Sequence, residues 1–515
     1  MNRFESLPEL GVGAVWMDGL AEALAEASAE FDFIEVEPQQ HWFRSRSGTF
    51  RLDHEAFDAI LSLGKPRVIH SVGCPIGGTR SLLHEHAAAL RHSIGRLDPA
   101  WVSEHLSLNE FELAGREHFA GFLLPPVAVP ASVDIAVRNI RAFAACAQRP
   151  MLIETGVNYL QPQRGEMPDG AFVAEIARRA DCGILLDLHN VWTNERNGRQ
   201  TVDDFVGELP LERVVEVHLA GGEQLDGYWL DAHGGLTPPE LLDIAAGIVP
   251  SLPNLKAITF EMMDEAIIAG RCDAAALRAH LRSLRRLWAN RGMRRAPTPL
   301  PELKPEAEPE PCRWDPAGWE RAVGARALRM PVDAPRAEAL DGDRGIDLLH
   351  NLIEAVRAGT LVDALRLSTR LISIAQGRAA LIALFDDYWR LHSPLPFATD
   401  EALRFIDFVA AAVRDIPGLA DTLALEAAAC RALADGTAQD VVLQHPLHEL
   451  VDAIDHRRLP ARGAATGRYR LRIGGEPPPL EWDQTRPREV DQPPPDIPST
   501  IPPLVKASGS SAFAS

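Results

Sequence analysis

The stretch GILLDLHN, residues 183–190, runs through apolar and small side chains and then stops on a carboxylate, a histidine and an amide. Five further runs in the first 265 residues follow the same plan: RVIHSVG (67–73), WVSEHLSL (101–108), MLIETG (151–156), VVEVHLAGG (214–222) and AITFEMMDE (257–265). Buried strands rich in Val, Ile and Leu have no cheap use for ionisable groups at their ends. A desolvated charge costs several kcal/mol unless it is paired or bound to a metal. His70, Glu104, His105, Glu154, Asp187, His218 and Glu261 are therefore expected to converge on something cationic, and the pattern reads as a metalloenzyme.

Working outward, GVGAVW (11–16) and FDFIEVE (31–37) bring the strand-like runs to eight. Segments with helical spacing separate them, among them LLHEHAAALRHSIGRL (82–97), ASVDIAVRNIRAFAACA (131–147) and DGAFVAEIARRA (169–180), each long enough to return the chain to a parallel strand. Eight such units over about 290 residues match a (β/α)8 TIM barrel, whose active sites lie at the C-terminal ends of the strands. An open doubly wound sheet would place ligands at one switch point and not at six strand ends. The barrel domain is expected over residues 1–292.

The stretch RGMRRAPTPLPELKPEAEPEPC (291–312) is crowded with proline and charge, which makes 293–312 an extended linker. Beyond it, GIDLLHNLIEAVRAGTLVDALRLSTRLISIAQ (345–376) and DEALRFIDFVAAAVRDI (400–416) carry apolar residues at helical spacing, so residues 313–475 form a mainly α domain. Thr399 or Asp400 is placed to cap the second of these helices, and YRLRIGG (469–475) reads as one short strand. The Pro/Ser-rich tail, 476–515, reads as disordered.

Composition narrows the function. The chain has 515 residues, 46% hydrophobic and 24% charged, as a soluble globular protein does. No signal-like or membrane-spanning apolar run is present, so the expected address is the cytoplasm. Six cysteines show no zinc-finger or CxxC spacing. A formal net charge of -20 disfavours nonspecific nucleic-acid binding, which needs a basic track. The Gly-rich pieces CPIGGTR and HLAGGEQ lack the order of a phosphate loop.

Candidate ligands follow from residue type. His70, His105, Glu154, Asp187, His218 and Glu261 end strands, and a mixed histidine and carboxylate set suits Fe, Mn or Zn. Asp231 and His233, in YWLDAHGG, offer an Asp-x-His pair from the loop after the seventh strand. Glu104 would point to the opposite face from His105 and is expected outside the ligand set. Of His189 and Asn190, one ligates and the other orients, and spacing leaves the choice open. So many donors exceed one four- to six-coordinate ion, which implies two or three.

The ordered motifs, a histidine followed by SVG, then SEHL, IE-x-x-x-x-YL, LLD-x-x-N, HLAG, D-x-H and a final FE, resemble those of the multinuclear non-heme iron-dependent oxidative enzymes, the group that includes the methanobactin-biosynthesis oxygenase. The similarity covers roughly residues 8 to 290. It implies a TIM barrel of xylose-isomerase type, two or three iron ions, dioxygen as oxidant, and a ribosomally made precursor peptide modified typically at cysteine. By position it implies metal binding by His70, His105, His218, His233, Glu154, Asp187, Asp231 and Glu261, with the motif's amide at Asn190 or its neighbour His189. Glu154, Asp187 and His218 carry the catalytic expectation. The chain departs from the family's usual pattern at ETGVNYL, DLHN and DAHGG, with the histidines and carboxylates intact. Members commonly work with a partner protein that presents the peptide, which makes the α domain a fused presenter on this reading. Two alternatives are a redox-neutral metal-dependent isomerase or phosphodiesterase on the same barrel, and a binding module with a structural metal. The isomerase would want a lysine near the metals, and none lies in the strand-end motifs.

Overall fold

A computed structural model describes residues 4–80, 84–268, 270–292, 312–331, 340–461 and 468–474. Eight parallel strands close into a barrel: β1 Gly11–Val15, β2 Phe33–Val36, β3 Arg67–Ser71, β4 Val102–His105, β5 Met151–Glu154, β6 Gly183–Asp187, β7 Val214–Ala220 and β8 Ala257–Glu261. They neighbour one another in chain order, and β8 pairs with β1 to complete the ring. All eight expected strand-like runs are barrel strands, and the helices His84–Leu97, Pro130–Ala147 and Asp169–Ala180 fill the connections the sequence assigns to helix.

The period-two alternation of a strand explains how the barrel sorts its interior. One layer is apolar: Phe33, Val68, Trp101, Leu152, Leu185, Val215 and Ala257 pack together with Phe4. On β2, β3, β5 and β6 the residue two places further along, on the same face, is ionisable: Glu35, His70, Glu154 and Asp187. A packed floor thus lies under a layer of charge. Gly13 makes room for this floor, since a Cβ there would sit 2.4 Å from the Phe33 ring.

The chain divides into two compact units. The first comprises the barrel and its helices, up to His41 and then over Asp53–Ile353. It includes the helix Pro316–Ala327, whose Trp319 indole donates to the Pro125 carbonyl at 2.8 Å and whose Glu320 accepts from the Thr79 amide and hydroxyl. The second unit joins Trp42–Leu52, a short antiparallel pair inserted between β2 and β3, to the chain from Glu354 onward. Its helices surround a core that includes Leu365, Leu371, Phe385, Tyr388, Phe405, Val409 and Leu450. Tyr469–Ile473 is a strand, as YRLRIGG suggests, and it pairs antiparallel with Gln439–Leu443.

The expected cap at Thr399 or Asp400 is not made. The helix Ala398–Ala412 starts two or three residues earlier than those caps require, and Phe397 stands at its N-cap with no side-chain capping bond. Thr399 is buried inside the first turn, and Asp400 faces Arg44 at 3.9 Å. The expected linker at 293–312, save Cys312, and the tail at 476–515 lie outside the described residues.

Candidate metal centre

The strand-end residues do meet. Four buried groups of three side chains each bring one ligand atom apiece within 4.8 Å of the others: His70, His105 and Glu154; His189, Asp231 and His233; Glu35, His218 and Glu261; and Glu154, Asp187 and His218. Shared members, Glu154 and His218, join three of them, and His233, 3.5 Å from Glu261, brings in the fourth.

β3, β4 and β5 build the first group. His105 stands beside Glu154 in the parallel register and His70 beside Ser103. Glu154 Oε2 lies 3.0 Å from His70 Nε2 and 3.0 Å from His105 Nδ1. His70 Nδ1 meets Ser103 Oγ at 2.8 Å, and that hydroxyl reaches the Ile69 carbonyl, so the imidazole is the donor and turns Nε2 inward. Burial disfavours a charged imidazole at His70, but the Glu154 carboxylate more than offsets it and holds the ring up at about 10. Burial would likewise raise Glu154, yet His105 and His70 keep it well below the usual carboxylate range.

Asp187 closes β6 and caps the helix Leu188–Arg196 in one step: its Oδ1 accepts the Asn190 amide at 2.9 Å. Its Oδ2 is buried without a hydrogen-bond partner. Burial, reinforced by Glu261, Glu154 and Asp231, drives this carboxyl well above its ordinary range. The Asn190 amide nitrogen donates to Glu154 Oε1 at 3.3 Å and to the Thr155 carbonyl at 3.2 Å, which fixes its orientation and leaves Oδ1 unpartnered. A buried polar atom without a partner is costly. Several such acceptors facing one another fit a cation between them.

The loop after β7 supplies the rest. A hairpin, Glu223–Leu225 paired with Tyr228–Leu230, returns the chain to Asp231. His189 Nδ1 and His233 Nε2 each lie 2.9 Å from Asp231 Oδ1, while His233 Nε2 is 3.5 Å from Glu261 Oε2. His233 adopts φ 45°, a left-handed backbone uncommon for a non-glycine residue, and its carbonyl is pinned by the Met263 amide at 2.9 Å. Burial lowers its pKa, but Asp231 and Glu261 prevail and lift it to about 10. His189 also faces the Trp229 indole, which donates to its Nε2 at 3.4 Å.

Glu104 lies outside the cluster, as the alternation predicts. It accepts from Ser71 Oγ and the Cys74 amide on the far face of β4. Two residues missed by a reading of strand ends are central. Glu35, within β2, sits 3.2 Å from His218 Nε2, and Glu216, within β7, accepts from the Trp101 indole and Thr259 hydroxyl. Tyr159 is a third: its hydroxyl accepts the Asp231 amide at 3.2 Å. The two lysines of this unit within the described residues, Lys65 and Lys256, precede β3 and β8 at the opposite rim, and they donate to the carbonyls of Ser28, Phe31 and Glu5.

Fold and site together define a (β/α)8-barrel enzyme with a buried cluster able to bind metal ions. The model of the RiPP precursor modification enzyme family MbnB/TglH/ChrH matches residues 11–268, and the chain belongs to that family. A UPF0276 protein of Anaeromyxobacter sp. (strain Fw109-5) is 31% identical over 260 residues, 48% of this chain and 90% of that protein. Another, from Vibrio parahaemolyticus, is 32% identical over 241 residues, 45% of this chain and 78% of its own length. Among solved structures, D-psicose 3-epimerase in the presence of D-fructose is similar at 12% identity and a TM-score of 0.34, covering 53% of this chain and 96% of that one. A score of that size carries no functional argument. Membership in the family makes the chain an enzyme that modifies a ribosomally made peptide. Among the described residues, no helix is long and apolar enough to cross a membrane.

Proposed function

We propose that this chain oxidises a ribosomal precursor peptide, at cysteine, with two or three iron ions and dioxygen. The observation that carries the reading is the concentration of unpartnered buried acceptors at one end of the barrel, Asp187 Oδ2 and Asn190 Oδ1 above all. The mixed imidazole and carboxylate set fits iron. His70, His105 and Glu154 would hold one ion, and Glu154, Asp187, His218 and Glu261 a second. Asp231 and His233, with His189 or Asn190, would hold a third. Iron bound there supplies redox capacity toward dioxygen and Lewis acidity toward a thiolate.

The protein's own residues do the rest. Ser103 aims His70, and the Asp187 cap sets Asn190. His189 accepts from Trp229 at Nε2, which turns its Nδ1 toward Asp231 Oδ1 at 2.9 Å, so His189 too is placed to ligate or to orient. Absence of lysine from the cluster weighs against the isomerase alternative. The second unit is proposed as the presenter of the peptide.

Protein purified without oxygen should carry two to three irons per chain, measured by elemental analysis, and should convert a cysteine-bearing precursor with consumption of dioxygen. One zinc per chain, no iron and undiminished activity would refute the proposal.

A further inference from the structure

We propose that Glu35 is a positioning residue of this centre, accepting the Nε2–H of His218 so that Nδ1 of that ring is presented to the metal. The role rests on the metal reading above. Its basis is an accounting of the buried carboxylates outside the assigned ligands. Glu104 accepts from a hydroxyl and an amide, Glu216 from an indole and a hydroxyl, and Glu37 from the Gln40 amide group at 2.7 Å. Glu35 is fully buried, its Oε1 has no partner, and the donor facing it is His218 Nε2 at 3.2 Å.

The two nitrogens of His218 therefore face different company. Nε2 looks at Glu35 and, at 3.7 Å, at Glu216, and a bare lone pair opposite two carboxylates would be repelled. The hydrogen belongs on Nε2. Nδ1 lies 3.1 Å from Glu261 Oε1 and makes no hydrogen bond, so two acceptors confront each other there, as they do around Asp187. A cation between them satisfies both. His70 shows the same arrangement with a different acceptor, its outer nitrogen on Ser103 and its inner one on the cluster. Fixing the outer nitrogen of a ligating histidine sets its tautomer and ring orientation.

Glu35→Met is near in size but offers no comparable acceptor, and Glu35→Gln keeps an acceptor without the charge. Metal-free protein of each is titrated anaerobically with ferrous ion, and separately with cobalt(II), following bound metal per chain, chelator competition and the cobalt visible spectrum. Melting of the metal-free forms is recorded alongside. Glu35→Met should weaken one ion by about 10- to 100-fold and alter the cobalt bands. Its metal-free melting temperature should equal or exceed the wild type's, because a buried carboxylate with one donor is replaced by an apolar side chain. Glu35→Gln should recover most of the affinity.

Wild-type metal content and spectrum in Glu35→Met would overturn the role. Equal losses in Met and Gln would overturn it too, by making Glu35 a direct ligand. If Met fails to fold, Gln alone decides, since a loss there as large as that of Glu261→Gln has the same meaning. A wild-type chain that binds neither metal overturns the metal reading itself, whereas normal wild-type loading with an unaffected Glu35→Met overturns only this inference.

Discussion

Glu154 carries more of the centre than any other side chain, because one oxygen lies 3.0 Å from two histidines and the other accepts from Asn190. Glu154→Ala should therefore remove at least one metal, abolish turnover and leave the barrel folded, as elemental analysis and circular dichroism would report. His218→Ala should do likewise. Residues at the catalytic end of a barrel serve function more than packing. Full activity in either variant would misplace the site. In the second unit, Glu426 is fully buried and accepts from the Leu367 and Ser368 amides and the Ser368 hydroxyl, and burial pushes it to about 7. Its folded pKa exceeds its unfolded one, so its stabilising contribution is complete below about 4.5 and is lost as pH rises through about 7. The swing is of order 3 kcal/mol. Denaturation of this unit followed between pH 4.5 and 7.5 should show it, and Glu426→Gln should flatten the slope.

Most of the ligand candidates were legible because a strand end is where a barrel exposes chemistry, and six runs stopping on His, Asp or Glu repeat that signal. Glu35 and Glu216 escape the same rule because they lie inside their strands, where sequence alone does not distinguish a residue over the apolar floor from one beneath the helices. Element boundaries add a second layer. DLHN reads as the end of a strand, yet Asp187 is also the first cap of a helix, so the carboxylate that faces the cluster is oriented by the amide of Asn190. The hairpin before Asp231 is tied in similarly. A Cβ at Gly222 would fall 2.4 Å from the Leu230 carbonyl, 2.4 Å from Trp229 Nε1 and 2.7 Å from His189 Nε2. Gly222→Ala should displace the hairpin and His189 together, costing the ion at Asp231 and His233 while melting changes little. Unchanged metal content would show that the hairpin does not steady that ion.

At the scale of the whole chain, the proline-rich stretch suggests a place to cut, but the compact unit holding the barrel continues to Ile353. A fragment ending near residue 300 would lose Trp319, almost fully buried, and the partners of Thr79 and Pro125. It should be less stable than a fragment ending near 353, and Trp319→Ala in the full chain should cost about 3–5 kcal/mol; equal melting of the two fragments would contradict this. If the second unit presents the peptide, the longer fragment should still bind metal and lose most of its affinity for the peptide. Complementation in trans should need residues 42–52 supplied with the second unit.

The inserted strand pair Trp42–Leu52 also sets a timetable. Its Arg51 guanidinium donates to the Leu433 carbonyl and its Phe50 ring meets Phe397, partners that the ribosome makes roughly 350 to 380 residues later. At about 5–20 residues per second, the pair waits on the order of 20–75 s after synthesis before the residues that cover it exist. The barrel can close in that interval, but the second unit cannot. Trp42 and Phe50 stay uncovered on the nascent chain until those residues emerge, which leaves this short insertion in need of a chaperone during biogenesis.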